Sequence, residues 1–389
     1  IRAPRGSDLM MLPGRHPVGI DPASGERVVV STVEDQPVYA AAAFMAPAHT
    51  QSHVASFSTQ PDAPALPLYA YTALGFAKGR FYAAGTRVDW DKRQDPWRFD
   101  RAKIERRIGA MRSDLPDNRV VDQLNKCALV YNCRAAQNFF LGRYEAPLPT
   151  SVACNSRCVG CLSLQKDGEF KAAHDRLSVP PTPDEVAAVA LRHIHTVTDA
   201  VVSFGQGCEG EPLIHGNLLR ETVLLIRNKT RRGTVNLNTN ASRPKIVDNL
   251  IDAGLDSIRV SLNSLRPEIY TAYYRPRGYS FEDVLQTLRI SRDRRIFVSI
   301  NLLYFPGVTD TAAELDVLLK FMRDCGADLI QLRNLNIDPE LYARTLPKGS
   351  YRQGVGVRNF MRELGSQSPD LRFGYFNPPK EVFRTGKSA

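Results

Sequence analysis

Residues 150–165 read Thr-Ser-Val-Ala-Cys-Asn-Ser-Arg-Cys-Val-Gly-Cys-Leu-Ser-Leu-Gln and place three of the chain's seven cysteines on one short loop. Cys154, Cys158 and Cys161 have the spacing C-x3-C-x2-C. Thiolates spaced in this way can bind one face of an iron–sulfur cube, and three ligands leave one iron open to another molecule. The spacing therefore indicates a catalytic cluster rather than only an electron carrier.

Two other interpretations of these cysteines stay open from the residues alone. A zinc site would combine Cys158 and Cys161 with His174, but no second histidine with finger-like spacing completes the set. A disulfide is typical of secreted chains, and no secretory signal is visible at Ile1, before which a segment can be missing. An odd number of cysteines suits a reducing compartment, so we expect a cytoplasmic protein.

A glycine-rich segment strengthens the cluster interpretation. Residues 203–213 read Ser-Phe-Gly-Gln-Gly-Cys-Glu-Gly-Glu-Pro-Leu and follow the second predicted strand. Glycines let the backbone approach a ligand closely, and exposed carbonyls beside a carboxylate suit an ammonium group. With the cysteine loop, this segment resembles the radical SAM superfamily: Glu209, Gly210 and Glu211 are similar to the family's Gly-Gly-Glu motif, with Glu209 in place of the first glycine.

The resemblance extends to about residue 336 and implies cofactors and a reaction. It implies that Cys154, Cys158 and Cys161 hold a 4Fe–4S cluster and that S-adenosylmethionine (SAM) chelates the fourth iron. Reduction would then release a 5′-deoxyadenosyl radical that abstracts hydrogen from a substrate. The resemblance also implies an external electron donor of the flavodoxin or ferredoxin type.

Strand-like and helical patterns alternate from about residue 145. Six strands alternating with helices predict parallel pairing and right-handed crossovers, and six units are fewer than the eight of a closed barrel. We therefore predict an α/β fold with a partial (β/α)6 TIM-like barrel over residues 145–336, which is also the fold that the resemblance implies. The predicted strands are 146–153, 200–204, 234–238, 257–262, 296–303 and 329–335.

The flanking segments differ from the predicted barrel in pattern. Residues 1–144 predict an N-terminal accessory domain that is β-rich to about residue 90 and helical over 99–113 and 118–131. Residues 337–389 predict a C-terminal extension that closes the open side of the barrel. This extension contains no cysteine, which argues against an auxiliary cluster domain there.

Polar residues near the carboxyl ends of the predicted strands are candidate cofactor contacts, because the loops at those ends form the active face of β/α barrels. Ser261 and Asn263 alternate along one strand and so share a face. Arg333 can pair with a carboxylate of the cofactor, the substrate or the protein. Gly160 departs from the family, in which an aromatic residue often precedes the last cysteine. The candidate contacts are Gly205, Glu209, Gly210, Glu211, Asn238, Asn240, Ser261, Asn263, Asn301 and Arg333.

Composition and charge limit the partners without identifying the substrate. The apolar fraction of 43% is ordinary for a globular protein, and no run of about 18 apolar residues predicts a membrane span. The net charge of +10, with eight arginines within residues 259–295, suits an anionic partner, although a solvated basic surface is the commoner explanation. A peptide or protein, a nucleic acid and a phosphorylated metabolite all stay open as substrates. The alternative function is a zinc- or nucleic-acid-binding module on a degenerate barrel.

Overall fold

The computed structural model describes residues 1–165 and 171–383. The N-terminal region begins with short strands that pair in antiparallel fashion. These strands are β1 (Asp8–Met11), β2 (Arg15–Ile20), β3 (Arg27–Val29), β4 (Thr32–Val33), β5 (Gln36–Pro37), β6 (Ala41–Phe44), β7 (His49–Gln51), β8 (Phe57–Thr59), β9 (Thr72–Ala77), β10 (Arg80–Ala83) and β11 (Gly85–Arg87). The largest of their sheets has the order β1-β6-β9-β10.

Helices follow these strands, as the sequence predicts. A 3-10 helix (Pro96–Arg98) precedes α1 (Arg101–Asp114), α2 (Arg119–Leu129) and α3 (Arg134–Phe140). Asp100 and Asn118 cap α1 and α2, because their side chains accept hydrogen bonds from first-turn amides. The apolar faces of these helices belong to the same core as the rest of the chain, whereas the N-terminal strands have small separate cores.

One sheet of seven parallel strands dominates the described part of the chain, and its strands are paired in the order of the sequence. The strands are β12 (Glu145–Pro147), β13 (Val201–Phe204), β14 (Thr234–Thr239), β15 (Ser257–Leu262), β16 (Phe297–Tyr304), β17 (Leu329–Asn334) and β18 (Arg372–Gly374). The connecting helices are α4 (Pro183–Thr196), α5 (Gly216–Lys229), α6 (Pro244–Ala253), α7 (Pro267–Tyr274), α8 (Phe281–Asp293), α9 (Ala312–Asp324), α10 (Pro339–Thr345) and α11 (Val357–Gln367). Short 3-10 helices cover Pro212–His215 and Lys380–Val382.

The sheet curls into an open half-barrel. The amide nitrogen of Asn377, just beyond β18, donates to Glu145 on β12 at 2.8 Å and to Asn238 on β14 at 3.1 Å. A side chain next to one edge strand therefore reaches the other edge strand. The predicted α/β partial barrel is confirmed, and a seventh strand, β18, comes from the segment predicted to close it.

The first barrel strand is shorter than its sequence pattern indicates. It ends at Pro147 rather than at residue 153. The reason is that the backbone amides of Thr150 and Ser151 donate to the carboxylate of Glu209 instead of to a neighbouring strand. The residues that follow β12 therefore form a loop that contains the three clustered cysteines.

The concave face of the barrel is polar. Inward positions alternate along each strand and stay level across the parallel register. The opposite face, which includes Val235 and Leu237, packs in the main apolar core. Val201, Phe297, Leu303 and Leu329 share these inward positions with a larger polar set: Ser203, Asn236, Asn238, Ser257, Arg259, Ser261, Ser299, Asn301, Gln331 and Arg333. A barrel interior filled only for packing carries bulky branched side chains, so this polar interior indicates a binding site.

The N-terminal strands pack beside β17 and α10. The backbone amide of Gln51 donates to the side chain of Asn334 at 2.8 Å. Arg15 and Asp338 form a buried ion pair at 3.3 Å. Among the helices of the described chain, none has the length and apolar character needed to cross a membrane.

Candidate functional site

A buried carboxylate fixes the cysteine loop to the turn after β13. Glu209 accepts hydrogen bonds from the backbone amides of Thr150 (2.7 Å), Ser151 (2.8 Å) and Gly205 (2.6 Å). The hydroxyl of Thr150 is a fourth donor, at 3.0 Å. Burial raises the pKa of Glu209 to about 7, although the donors favour the ionised form. The protein therefore supplies four donors to Glu209, and these hydrogen bonds connect the cysteine loop to the turn after β13.

Main-chain contacts join the same two segments. The amide of Gly210 donates to the carbonyl of Ser151 at 2.8 Å, and the amide of Glu211 donates to the carbonyl of Ala153 at 2.8 Å. A Cβ atom on Gly210 would lie 1.9 Å from the Ala153 oxygen. Only glycine permits this close backbone approach. Gly210 is therefore required by its packing against the cysteine loop.

The carboxylate of Glu211 extends the connection to β14. It accepts hydrogen bonds from the amides of Asn240 (2.8 Å) and Leu213 (3.1 Å) and from the hydroxyl of Thr239. Glu211 is buried, and burial raises its pKa to about 7. Glu209 and Glu211, the two acids of the predicted motif, thus both accept hydrogen bonds from the protein itself. The sequence pattern does not predict this structural role.

The turn after β13 is also locked to β14. Gly205 has a φ of +75°, which is in the left-handed region, and a Cβ atom there would lie 1.7 Å from the carbonyl oxygen of Asn238. The amide nitrogen of Asn238 donates to the carbonyl of Phe204 at 2.7 Å. Gly205 and Asn238 therefore hold the ends of two strands together.

Asn240 reaches from the end of β14 into the cysteine loop. Its amide nitrogen donates to the side chains of Asn155 at 2.8 Å and Ser156 at 3.0 Å. The hydroxyls of Ser156 and Tyr279 lie 2.7 Å apart. These bonds tie the first part of the loop, around Cys154, to two further elements of the barrel.

The end of α7 holds the other side of the cysteine loop. The amides of Arg157 and Val159 donate to the carbonyls of Tyr274 and Tyr273, both at 3.0 Å. A Cβ atom on Gly160 would lie 2.9 Å from the Tyr273 hydroxyl. Tyr273 therefore packs against the residue before the last cysteine, the position at which the family resemblance leads us to expect an aromatic ring.

The three thiols of the loop are free, partly buried and close enough to affect one another. Burial raises the pKa of Cys154 to about 11, and the charges of Glu211 and Cys161 add to this effect. Burial also raises the pKa of Cys158, followed by the effects of Cys161 and Cys154. A metal replaces the protons of such thiols outright. Three soft sulfur donors on one loop fit an iron–sulfur cluster.

The described residues form neither the predicted zinc site nor a disulfide. Across residues 1–165 and 171–383, no group of three His, Cys, Asp or Glu side chains is arranged to hold a single metal ion. The ring of His174 packs edge-on against Tyr131, with centroids 5.0 Å apart. All seven cysteines are free thiols. In an iron–sulfur cube each cysteine sulfur binds a different iron, so the three sulfurs need not converge on one ion. The lack of a single-ion site among the described residues is therefore compatible with a cluster.

Arg176 contacts one of the three thiols. Its Nη2 lies 3.6 Å from the Sγ of Cys161, and its Nε donates to the hydroxyl of Ser163 at 2.9 Å. The same hydroxyl donates to the carbonyl of Glu209 at 3.1 Å. Arg176 is thus a cationic donor to a candidate cluster ligand, held in place through the motif segment.

The polar residues predicted on β15 and β16 separate into two groups. The amide nitrogen of Asn301 donates to the hydroxyl of Ser261 at 3.1 Å, so these two residues share the inward face. Asn263 instead donates to the hydroxyl of Tyr342 on α10 at 3.1 Å. The side-chain oxygens of Asn263 and Asn301 are buried and have no partner in the described chain.

Arg333 lies on the inward face of β17, next to the residues that follow β18. Its Nη2 donates to the carbonyl of Tyr375 at 2.6 Å, and its guanidinium lies 4.4 Å from the centre of that ring. Sequence reasoning missed Arg259 and Arg176. The alternation that selected Ser261 also places Arg259 inward, whereas no local pattern marks Arg176, because its position depends on how the cysteine loop folds.

Comparison with known proteins gives consistent matches to one superfamily. Residues 148–322 match the sequence profile of the radical SAM superfamily. The chain is 27% identical over 207 residues to the FeMo cofactor biosynthesis protein NifB of Klebsiella pneumoniae. This alignment covers 50% of this chain and 43% of that protein. It is 27% identical over 222 residues to a GTP 3′,8-cyclase of Chlorobaculum tepidum, covering 51% of this chain and 63% of that enzyme.

The chain therefore spans less than two thirds of the length of either curated relative. Among solved structures, a radical SAM methyltransferase from Sphaerobacter thermophilus aligns with a TM-score of 0.44 at 17% identity, over 59% of this chain and 66% of that one. Residues 148–322 therefore carry a domain of the radical SAM superfamily, which is a class of enzymes.

Proposed function

We propose that this protein holds a 4Fe–4S cluster through Cys154, Cys158 and Cys161 and uses it to cleave SAM reductively. The observation that supports this most directly is the position of the cysteine loop. Hydrogen bonds hold the loop to Glu209, Gly210 and Glu211 on one side and to the end of α7 on the other. The bound cluster and SAM would supply a 5′-deoxyadenosyl radical for hydrogen abstraction. The protein would supply the position of these groups and exclude water around the radical.

The residues around the loop divide into binding and positioning groups under this proposal. Main-chain carbonyls of residues 205–211 suit the ammonium group of SAM, because the carboxylates of that segment already have protein donors. Ser261 and Asn301 offer hydroxyl and amide groups on the inward face, and the Asn301 oxygen lacks a partner in the described chain. The proposed positioning residues are Gly205, Glu209, Gly210, Glu211, Asn238, Asn240 and Asn263.

Members of this superfamily take electrons from an external donor, and we propose a small flavodoxin- or ferredoxin-type protein for this role. The relatives do not identify a substrate, since NifB and GTP 3′,8-cyclase are named for different reactions. The free state of all seven thiols supports a reducing, cytoplasmic compartment for the enzyme.

Anaerobic reconstitution tests the proposed function. We expect the protein to take up about four irons per chain and to release 5′-deoxyadenosine from SAM after reduction. Cys158→Ala should lose both properties, because one of three ligands is missing. Cys325→Ala is the matched control: Cys325 directly follows α9, outside the loop, and this variant should retain iron and activity. Full iron uptake and product formation by Cys158→Ala would contradict the assignment.

The contact between Arg176 and Cys161 predicts a redox effect. A cationic donor to a ligand sulfur stabilises the reduced cluster, so Arg176→Gln should lower the midpoint potential by on the order of 50 mV, equivalent to about 1 kcal/mol. Arg157→Gln removes the same charge from an exposed side chain of the same loop and is the control. A potentiometric titration followed by electron paramagnetic resonance (EPR) measures the difference, and equal potentials for the two variants would disprove the role of Arg176.

A further inference from the structure

Two arginines inside the barrel retain most of their hydrogen-bonding capacity. Arg259 donates to the side-chain oxygen of Gln331 at 3.4 Å, and Arg333 donates to the carbonyl of Tyr375 at 2.6 Å. The Nε atoms of both arginines are buried and have no partner among the described residues. Because a guanidinium has five N–H donors, each side chain can bind a further acceptor.

The nearby acid does not neutralise this pair. Glu145 attracts Arg259 but forms no ion pair with it among the described residues, and its Oε1 accepts hydrogen bonds from Gln206 and Asn377, both at 2.8 Å. Arg259 is 6% exposed, and burial, followed by the charge of Arg333, lowers its pKa to about 9. Burying Arg259 next to the half-buried Arg333, without an ion-pair partner among the described residues, is unfavourable for the folded chain. An anion bound between them would relieve this repulsion.

The register of the sheet leaves space between the two arginines. Arg259 on β15 is level with Ser299 on β16, the strand that separates β15 from β17. Arg333 on β17 is level with Leu303, two inward positions nearer the carboxyl end, and the inward side chains of β16 between these levels are the small residues Ser299 and Asn301. Arg333 is held in place by the ring of Tyr375, whose own backbone amide donates to Asp89 at 2.8 Å. The site is therefore built by the barrel together with the N-terminal region.

We propose that Arg259 and Arg333 bind a phosphoryl group of the substrate inside the barrel. The proposal rests on the proposed function, since it specifies the substrate class of that same site. Two planar guanidinium groups match the charge of a phosphoryl dianion and can each donate two parallel hydrogen bonds. Ser261 is one inward position closer than Arg259 to the carboxyl end of β15, where the cysteine loop lies. Arg333 lies one inward position beyond the level of Ser261, so the SAM affinity of each variant decides whether the pair serves the substrate or SAM.

Calorimetric titration of the reconstituted full-length chain with inorganic phosphate tests the proposal. Arg259→Gln and Arg333→Gln should each weaken phosphate binding about tenfold, as expected for loss of one charged hydrogen-bonding partner. Iron content and SAM affinity, measured on the same samples, should stay unchanged. Arg259→Lys keeps the charge but loses the fork and should weaken binding less, which provides a second variant if the glutamine variant does not fold.

Arg372→Gln is the matched control. Arg372 is also on the barrel sheet, but its guanidinium donates to the carbonyls of Val382 and Phe383 at 2.9 Å and 3.2 Å. This variant should bind phosphate as the wild type does. The proposal is overturned if wild-type protein binds no phosphate, if the control loses as much affinity, if SAM binding falls in parallel, or if acetate binds as tightly as phosphate. Measured iron content separates these results from a failure of the proposed cluster.

Discussion

Gly210→Ala should fold into a barrel that no longer takes up iron. The added Cβ would lie 1.9 Å from the carbonyl oxygen of Ala153, a backbone atom that can yield only if the cysteine loop moves. The hydrogen bonds from Gly210 and Glu211 to the loop would break with it. Since three thiols must be positioned together to hold one cluster, we expect iron per chain after reconstitution to fall at least several-fold.

The same turn offers a matched control for this prediction. A Cβ atom on Gly207 would meet only the Cδ1 of Leu162, at an ordinary distance of 4.0 Å. Gly207→Ala should therefore bind iron like the wild type. Far-ultraviolet circular dichroism of both variants checks that the fold is retained. Wild-type iron content in Gly210→Ala would show that the loop does not depend on this close backbone contact.

Replacing Glu209 with glutamine should give the largest loss of stability in the site. The carboxylate accepts four hydrogen bonds from Thr150, Ser151 and Gly205, and a glutamine amide would turn an NH2 group towards some of these donors. Leaving buried donors unsatisfied costs about 2–5 kcal/mol. Urea unfolding of Glu209→Gln measures this loss, with Glu221→Gln, an exposed acid on α5, as the control expected to be neutral.

The pH dependence of stability provides a second readout for Glu209. Its pKa is about 7 in the folded chain against 4.5 for an ordinary glutamate, so the folded state keeps a proton that the unfolded state releases. The free energy of unfolding should therefore fall as pH rises from 4.5 to about 7, by up to about 3 kcal/mol from this group, and then level off. Glu209→Gln should lose this slope, and an unchanged slope would contradict the role of Glu209.

The fold could be predicted because its signals are local and repeated. Each barrel strand is a short apolar or alternating run, and each is followed by a helical pattern, so parallel pairing follows from the order of elements. The end of β12 could not be predicted, since Thr150 and Ser151 donate to an acid 58 or more residues away. The sequence assigns β18 to a closing segment, because nothing local indicates that this short strand pairs with β17 in the barrel sheet.

The candidate site could be predicted in its ligands but not in its supports. Cysteine spacing is a property of one loop and can be recognised in the sequence. Glu211 accepts hydrogen bonds from Thr239 and Asn240 only because the strands before these residues are neighbours in the sheet. Sequence spacing does not specify which strands become neighbours. The contact of Arg176 with Cys161 is equally non-local. A pattern of residue types identifies the chemistry, and the tertiary structure decides which side chains touch the reactants and which hold them in position.

The central claim is that Cys154, Cys158 and Cys161 hold a cube whose remaining iron is open to SAM. EPR of the reduced, reconstituted protein with and without SAM tests this most directly. We predict a signal from the reduced cluster that changes shape when SAM is added, because the cofactor binds the iron that no cysteine occupies. An iron-free protein, or a cluster signal that SAM leaves unchanged, would contradict the claim.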